Sequence, residues 1–213
     1  MRDGVRWDDV TVRWMPSDAT DADPFEVVEP FGRPQIDRLR ALPPGRRAAF
    51  AVGRHLLGAL AHDLGHDGIL IESVCERCGG PHGAPRADGL ALSVAYTDGL
   101  VVAAAAAIAS APAVGVDVER GHPATMLRDL APLFAGRRAP DLAGWTRIEA
   151  ALKADGRGLR VPPDRVHEHP GPDPGEFLAT IPGRRHPVRT TTLDGPDGFV
   201  VSVARVPPAA AGR

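Results

Sequence analysis

The chain contains one lysine, Lys153, which lies four residues after Glu149 in a sequence whose other cationic residues are arginines. In a helix, this spacing places both side chains on one face. Upstream, Asp117 and Glu119 alternate with valines, so a strand would present both carboxylates on one face. Three carboxylates and one ammonium group are the parts needed to hold a divalent cation such as Mg²⁺ against a phosphate.

A plainer interpretation of the same residues stays open at this point. Asp117 and Glu119 would face solvent on an edge strand. Glu149 and Lys153 would form a surface ion pair worth less than about 1 kcal/mol. Both patterns are common in proteins, so spacing alone does not decide between a metal site and a solvated surface.

Composition limits the protein to a few broad classes. The 213 residues are 43% hydrophobic, enough for one large domain or two small lobes. The formal net charge of −2 excludes a generally basic protein that coats nucleic acid. No apolar run reaches the roughly 18 residues of a membrane span, and the N-terminus lacks the apolar core of a signal peptide. Two cysteines are too few for a disulfide-stapled secreted fold, so we expect a cytoplasmic protein.

Hydrophobic periodicity predicts a helix followed by antiparallel strands, and this order occurs twice. We therefore expect an α+β fold made of two related lobes, residues 1–112 and residues 113–213. The predicted helices are 46–64, 124–134 and 144–154. The predicted strands are 5–15, 69–74, 90–95, 100–105, 114–118, 188–193 and 198–206, with Asp98-Gly99 as a hairpin turn. The remaining predictions are loops over 24–34 and 160–182 and a disordered tail over 207–213.

The order of the acidic motifs resembles that of a known superfamily. The segment GVDVER, followed further along by WTxxEAxxKADGRGL, resembles the 4′-phosphopantetheinyl transferases, particularly their monomeric, surfactin-synthetase-activating type. Three further segments extend the resemblance over about residues 45 to 160: the pair Gly53-Arg54, CxxCGxxHGxP from Cys75, and SVAYTDGLVV from Ser93.

This resemblance implies a fold and a reaction. The fold would be two similar, pseudo-symmetric α+β lobes with the active site in the cleft between them. Coenzyme A would bind in the cleft, with Mg²⁺ on its pyrophosphate. A serine of an acyl or peptidyl carrier protein would attack the β-phosphate and release adenosine 3′,5′-bisphosphate. A chain that holds both lobes is expected to act as a monomer, with neither nucleic acid nor membrane as a partner.

The resemblance also implies roles for individual residues. Asp117, Glu119 and Glu149 would be the metal ligands. Glu149 would also accept the serine proton, and Lys153 would contact the phosphate whose charge grows as the bond to the leaving group breaks. The residues expected to bind coenzyme A are Arg46, Arg47, Arg54, Arg86, Ser93, Tyr96 and Lys153. For Ser93, hydrogen bonding along a strand is the alternative.

Three positions depart from the family pattern. Tyr96 stands where a histidine is usual, while Ile148 and Ala84 stand where lysines are usual; Arg86 is a possible substitute for the second lysine. An intact metal site with weakened phosphate contacts leaves open a non-catalytic or weakly active member that binds coenzyme A or a carrier protein as a scaffold. A different metal-dependent phosphoryl-transfer or hydrolytic enzyme is a third alternative.

Cys75, Cys78 and His82 have the residue types of zinc ligands. The sequence offers no evident fourth ligand nearby. The same spacing occurs within the family resemblance without implying a metal, so the sequence alone favours no zinc site.

Overall fold

The computed structural model describes residues 4–121, 130–134 and 138–208. Within these ranges the chain forms four α-helices and ten strands. None of these helices is long and apolar enough to cross a membrane. The helices are α1 (Pro24–Val28), α2 (Arg33–Ala41), α3 (Arg47–Asp63) and α4 (Leu142–Asp155). The strands are β1 (Gly4–Trp7), β2 (Val10–Pro16), β3 (Arg86–Ala87), β4 (Leu90–Thr97), β5 (Leu100–Ala107), β6 (Ala113–Arg120), β7 (His167–Pro170), β8 (Glu176–Thr180), β9 (Val188–Leu193) and β10 (Phe199–Val206).

The strands form two antiparallel sheets of five strands each, which confirms the predicted α+β class. The first sheet has the order β1-β2-β5-β4-β3 and uses strands from residues 4–107. The second has the order β6-β10-β9-β8-β7 and uses strands from residues 113–206. Asp98 and Gly99 connect β4 to β5, as the hairpin signal predicts, and Gly99 has a φ of 84°.

Side chains on β5 alternate between its two faces, so one set packs against a helix and the other against the second sheet. On β5, Val101 and Ala103 pack in the cluster that includes α3, whereas Val102 and Ala104 pack in a cluster with Val116 of β6. Helix α4 covers the opposite face of the second sheet. The two sheets therefore share one apolar core, and each carries its long helix on its outer face.

Strands β4 and β6 lie side by side, although they belong to different sheets. The backbone N–H of Val116 donates to the Ser93 hydroxyl oxygen at 3.1 Å. A β-carbon added at Gly99, just past the end of β4, would lie 2.9 Å from the Arg120 guanidinium at the end of β6. The first residues of both strands, Leu90 and Ala113 among them, line one cavity. The two strands thus run in the same direction.

The predicted loop over 24–34 is wrong. Helix α1 occupies its first half, and α2 begins at Arg33. Pro24 and Pro34 lie in the first turn of their helices, where the missing proline N–H has no helical partner to lose. Asp23 caps α1 by accepting a hydrogen bond from the backbone N–H of Phe25 at 2.9 Å.

The predicted strand over 69–74 is also wrong, apart from one isolated bridge between Glu72 and Arg86. The backbone of Ile71 bonds to the helical region instead. Its N–H donates to Phe31 O at 3.0 Å, and its carbonyl accepts from the Gln35 side chain at 2.7 Å. These groups are therefore satisfied without a ladder.

The segment predicted as a long connection, 160–182, contains β7 and β8. Strand β7 is the edge of its sheet, which is where Pro170 at the end of a strand is tolerated. Glu168 on β7 forms an ion pair with Arg147 of α4 at 2.9 Å. Charge and proline at an edge strand explain why the sequence pattern there is typical of a loop.

The other predicted elements are found with small changes at their ends, including α3, α4, β6 and the hairpin of β9 and β10. The predicted first strand is a hairpin, β1 and β2. Most of the helix predicted over 124–134 and most of the tail predicted over 207–213 lie outside the described residues.

Helix α4 lies against β6 at Gly115, and this contact yields a stability prediction. A β-carbon at Gly115 would collide with the carbonyl oxygen of Ala150 and lie 2.7 Å from the backbone N of Ala154. Because both contacts are backbone atoms, Gly115→Ala is expected to destabilise the protein by about 1 to 3 kcal/mol. Urea unfolding measures the free energy of unfolding of the variant and of wild type. The control is Gly45→Ala, where the added carbon meets nothing within 4 Å. Equal stability of the two variants would contradict the close packing.

Candidate functional site

Helix α4 and strand β6 position the acidic residues. The side chain of Asp141 caps the start of α4 by accepting from Gly144 N at 2.7 Å, and Gly156 ends the helix with a φ of 83°. Asp117 lies on the face of β6 that the helix covers, since its neighbours Val116 and Val118 pack in the core between the sheets.

Lys153 reaches from α4 to β6 and pairs with Asp117. Its Nζ donates to Asp117 Oδ1 at 2.7 Å and to the carbonyl oxygen of Val116 at 3.0 Å. Only 4% of Asp117 is exposed. The interpretation of Asp117 as a solvent-facing residue is therefore wrong, and Lys153 pairs with it rather than with Glu149 at the surface.

The second carboxylate oxygen of Asp117 has unusual surroundings. Asp117 Oδ2 is buried and has no hydrogen-bond partner in the part of the chain that the structure describes. Glu149 approaches the same carboxyl group closely enough for the two to share a proton. Two carboxyl groups this close together, one of them buried, need either a proton or a cation.

Burial raises the pKa values of all three acidic groups, and the Asp117 charge adds to this for Glu119 and Glu149. Burial raises the pKa of Asp117, while the Lys153 charge opposes this effect. Burial, followed by the Asp117 charge, raises the pKa of Glu119 and raises that of Glu149 to about 7. The three groups therefore resist carrying three negative charges together when no cation is bound.

The three carboxylates are of the type that binds magnesium, although among the described residues their oxygens do not all lie within 4.8 Å of one another. Mg²⁺ prefers oxygen ligands and uses one or two carboxylates with water and substrate phosphates. Asp117 Oδ2, Glu119 and Glu149 offer such oxygens. Hydrogen bonding from Trp145 opposes the rise in the Glu119 pKa, and the Trp145 ring packs edge-on against Phe134 at a centroid distance of 6.2 Å.

A cavity of about 730 Å³ includes Lys153 in its lining, but not Asp117, Glu119 or Glu149. Its size is within the range of small-molecule sites. Both sheets contribute to it, through Leu90 and Leu92 of β4 and Ala113 of β6. Its other lining residues include Glu72, Glu76, Ala84, Arg86, Arg157 and Arg160.

A second cavity of about 520 Å³ is lined by Arg38, Arg46, Phe50 and Tyr96, together with Asp98. Arg54 lies fully buried near it, donating to Gln35 Oε1 at 2.7 Å and to the Tyr96 hydroxyl at 3.3 Å. Gly53 makes room for the Tyr96 ring, whose atoms would lie about 3.0 Å from an added β-carbon.

The cationic groups around this second cavity lack acidic partners. Arg38 donates to the carbonyl oxygen of Gly83 at 3.1 Å, and the guanidinium of Arg54 lies 4.1 Å from the Phe50 ring centroid. Burial lowers the pKa of Arg38 and of Arg54 from their ordinary values. Among the described residues, neither these arginines nor Arg46 forms an ion pair. The cavity therefore favours an anion.

The structure brings some of the predicted site residues together, whereas others bond to different groups of the protein. Asp117, Glu119, Glu149 and Lys153 form one cluster, while Arg46, Arg54 and Tyr96 surround the second cavity. Arg47 instead donates to the carbonyl oxygens of Leu42 and Arg40, which end α2. Ser93 accepts from the backbone of Val116, which agrees with the structural alternative. Arg86 lines the first cavity but pairs with Glu76 at 2.5 Å.

The three departures from the family pattern also have definite places. Ala84 lines the first cavity, and Ile148 is buried in the core beneath α4. Arg147 does not replace the missing lysine, because it binds Glu168 and lies 3.8 Å from the Phe177 ring centroid. Tyr96 contacts Arg54.

Sequence reasoning missed Arg38, Arg160 and Gln35. Arg38 and Gln35 belong to α2, a helix that was not predicted, so nothing placed them near α3. Arg160 follows α4 and lines the first cavity, where its side chain bonds only the Gly156 carbonyl among the described residues. A helix predicted over 33–41 from its proline start would have indicated Arg38 and Gln35.

No protein-family model matches the chain, and a comparison with curated proteins gives no match either.

The acidic cluster predicts a pH-dependent stability that Mg²⁺ modifies. The folded pKa of Glu149, about 7, lies above its ordinary 4.5. The stabilisation from its proton is therefore complete below pH 4.5 and is lost as the pH rises through about 7. With a chelator present, we compare the free energy of unfolding of Glu149→Gln with that of wild type at pH 5 and at pH 8. From the lower to the higher pH, this difference should shift in favour of the variant by at least about 1 kcal/mol, which corresponds to about 2 to 4 °C in Tm.

Mg²⁺ should raise the wild-type Tm more at the higher pH, since it replaces the lost proton. Differential scanning fluorimetry measures both effects, and Glu26→Gln on the exposed side of α1 is the matched control. Parallel pH curves for wild type and Glu149→Gln, with or without Mg²⁺, would refute the cluster's role.

Proposed function

We propose that the protein is a Mg²⁺-dependent transferase that moves 4′-phosphopantetheine from coenzyme A to a serine of an acyl or peptidyl carrier protein. One observation carries the proposal. Among the described residues, Asp117 Oδ2 is buried without a donor, Glu149 approaches the same carboxyl group, and Asp117 pairs with Lys153, which lines a cavity of about 730 Å³. This arrangement supports metal-assisted phosphate chemistry. The motif resemblance supports the particular substrates.

Asp117, Glu119 and Glu149 would hold the metal. When bound, Mg²⁺ would neutralise negative charge on the pyrophosphate. Glu149 has a pKa of about 7 without metal, which suits a group that accepts the serine proton, directly or through water. Lys153 uses two N–H groups on Asp117 and Val116, so its third can donate to a phosphate oxygen.

The proposed reaction exchanges one phosphorus–oxygen bond for another. The serine oxygen forms a bond to the β-phosphorus as Glu149 takes the serine proton. The bond from that phosphorus to the bridging oxygen breaks, and adenosine 3′,5′-bisphosphate leaves with the electron pair. Lys153 stabilises the charge that develops on the phosphates.

The proposal gives each half of the chain one side of the site. Residues 1–112 would be the first lobe and residues 113–213 the second, related by pseudo-symmetry, with the substrate cleft between them. Because one chain provides both sides, a monomer would suffice. Coenzyme A and apo carrier proteins meet in the cytoplasm, where we propose that the protein acts, with neither nucleic acid nor membrane as a partner.

The second cavity would hold the nucleotide end of coenzyme A. Arg38 and Arg46 line it without acidic partners in the described ranges, and Tyr96 offers its hydroxyl. Arg54 lies behind Tyr96 and adds a buried positive charge. These groups suit the 3′-phosphate, which needs neutralisation.

The alternative is a member that binds coenzyme A or a carrier protein without turnover. Particular observations favour it. Ala84 provides no cation to the first cavity, Ile148 is buried, and Glu76 neutralises Arg86. Under this alternative, the cavities would bind the ligand but the phosphate would lack stabilisation during transfer.

The transferase is tested by intact-mass spectrometry of apo carrier proteins incubated with the protein, coenzyme A and Mg²⁺. We expect one carrier class to gain the mass of one phosphopantetheine group. The gain should fall at least about 100-fold in rate for Glu149→Gln, because this variant loses a metal ligand and the proton acceptor. Glu26→Gln should react like wild type. Coenzyme A binding without any mass gain on a broad carrier panel would favour the non-catalytic alternative.

The nucleotide subsite is tested with Arg46→Ala. Coenzyme A should bind this variant about 5- to 30-fold more weakly, because one phosphate contact worth about 1 to 2 kcal/mol is lost. Dephospho-coenzyme A, which lacks the 3′-phosphate, should bind variant and wild type alike. Isothermal titration calorimetry measures all four affinities. The control is Arg40→Ala, because Arg40 pairs with Asp37 on the exposed side of α2. An equal loss for both ligands would place the 3′-phosphate elsewhere.

A further inference from the structure

Three soft metal ligands meet in the segment between α3 and β4. One donor atom from each of Cys75, Cys78 and His82 lies within 4.8 Å of the other two. The Cys78 sulfur lies 3.0 Å from His82 Nε2. Cys75 is partly exposed and the other two residues are exposed, so an ion could enter from solvent. No other group of at least three such ligands occurs in the described ranges.

The backbone of this segment holds the two cysteines in one turn. Cys75 N donates to Gly80 O at 2.8 Å, and Gly79 N donates to Cys75 O at 2.9 Å, closing a tight turn. Gly79 has a φ of 70°, a conformation that favours glycine.

A second turn brings His82 to the cysteines. Gly83 N donates to Ser73 O at 2.7 Å, so the chain after His82 is held beside the chain before Cys75. A β-carbon at Gly83 would collide with the backbone of Val74, so this approach requires glycine. These backbone contacts bring the chain at His82 close to the two cysteines.

We propose that Cys75, Cys78 and His82 bind one Zn²⁺ ion, with water as the fourth ligand. Zn–S bonds of about 2.3 Å and Zn–N bonds of about 2.0 Å place tetrahedral ligand atoms about 3.6 to 3.8 Å apart. The observed separations, from 3.0 Å to at most 4.8 Å, reach these values through shifts of about 1 Å. The proposal is independent of the proposed transferase activity.

The ion would brace one wall of the first cavity. Glu76, between the two cysteines, and Ala84 and Arg86, just after His82, line that cavity. The ion pair of Glu76 with Arg86 and the bridge of Glu72 with Arg86 connect the wall to the turn. Zinc would hold the turn in place where the described chain offers no regular ladder beyond β3.

A disulfide between Cys75 and Cys78 is the competing state. It would account for the two sulfurs but not for the position of His82. Three convergent ligands favour a metal, because Zn²⁺ uses thiolate and imidazole ligands together. The test must therefore separate metal binding from oxidation.

The experiment uses the full chain, reduced and stripped of metal with a chelator, then titrated with Zn²⁺ against a chromogenic competitor. We expect one equivalent to bind, and Co²⁺ to give the visible absorption of a tetrahedral site with sulfur ligands. Bound Zn²⁺ should protect both thiols from alkylation, as read by intact mass. This last readout needs no variant.

The variants Cys78→Ser and His82→Asn should lose stoichiometric Zn²⁺ binding, whereas His169→Asn on the exposed edge strand β7 should retain it. Circular dichroism checks that each variant folds. The proposal is overturned if the reduced protein takes up no Zn²⁺, or if uptake survives in both ligand variants. Isolation as a disulfide, two hydrogen masses lighter and without metal uptake after reduction, would identify the oxidised pair instead.

Discussion

The backbone contact between helix α4 and strand β6 is the constraint from which the acidic site follows. Gly115 has no side chain, so the helix lies directly on the strand at Ala150 and Ala154. At this separation Lys153 spans from the helix to Asp117 and to the strand backbone. A larger residue at Gly115 would move the helix outward and separate the lysine from its carboxylate. The packing of small residues thus sets the geometry of the charged ones.

That geometry is electrostatically unfavourable without a cation. Three carboxyl groups share one ammonium group in a partly buried site, and Asp117 Oδ2 is without a donor among the described residues. Taking charges out of water costs several kcal/mol unless they are fully paired. The protein lowers this cost by keeping Glu149 partly protonated near neutral pH. Functional sites often reduce the stability of a protein. Here the excess of negative charge favours binding of a cation.

The sequence predicts the acidic cluster because two simple periodicities determine it. Period two on β6 and period 3.6 on α4 place Asp117 and Glu149 correctly once the elements pack. The sequence does not predict that Lys153 pairs with Asp117, since that depends on the helix–strand distance. Prolines favour a loop prediction where the structure has a helix start, at Pro24, and an edge strand, which ends at Pro170. The cationic cavity depends on Arg38 of α2, a helix that is not among the predicted elements.

Tyr96 departs from the motif that the chain resembles, but it is matched to Arg54, with which it forms a hydrogen bond. Arg54 is fully buried and has no carboxylate partner within the described chain; it bonds Gln35 and the Tyr96 hydroxyl instead. A protonated histidine in place of Tyr96 would put a second unpaired cation beside it, at a cost that burial increases. The tyrosine oxygen accepts from Arg54 and leaves its own proton free to donate into the cavity. The positive charge behind the hydroxyl strengthens that donor, so a neutral residue still presents a polarised contact to an anion.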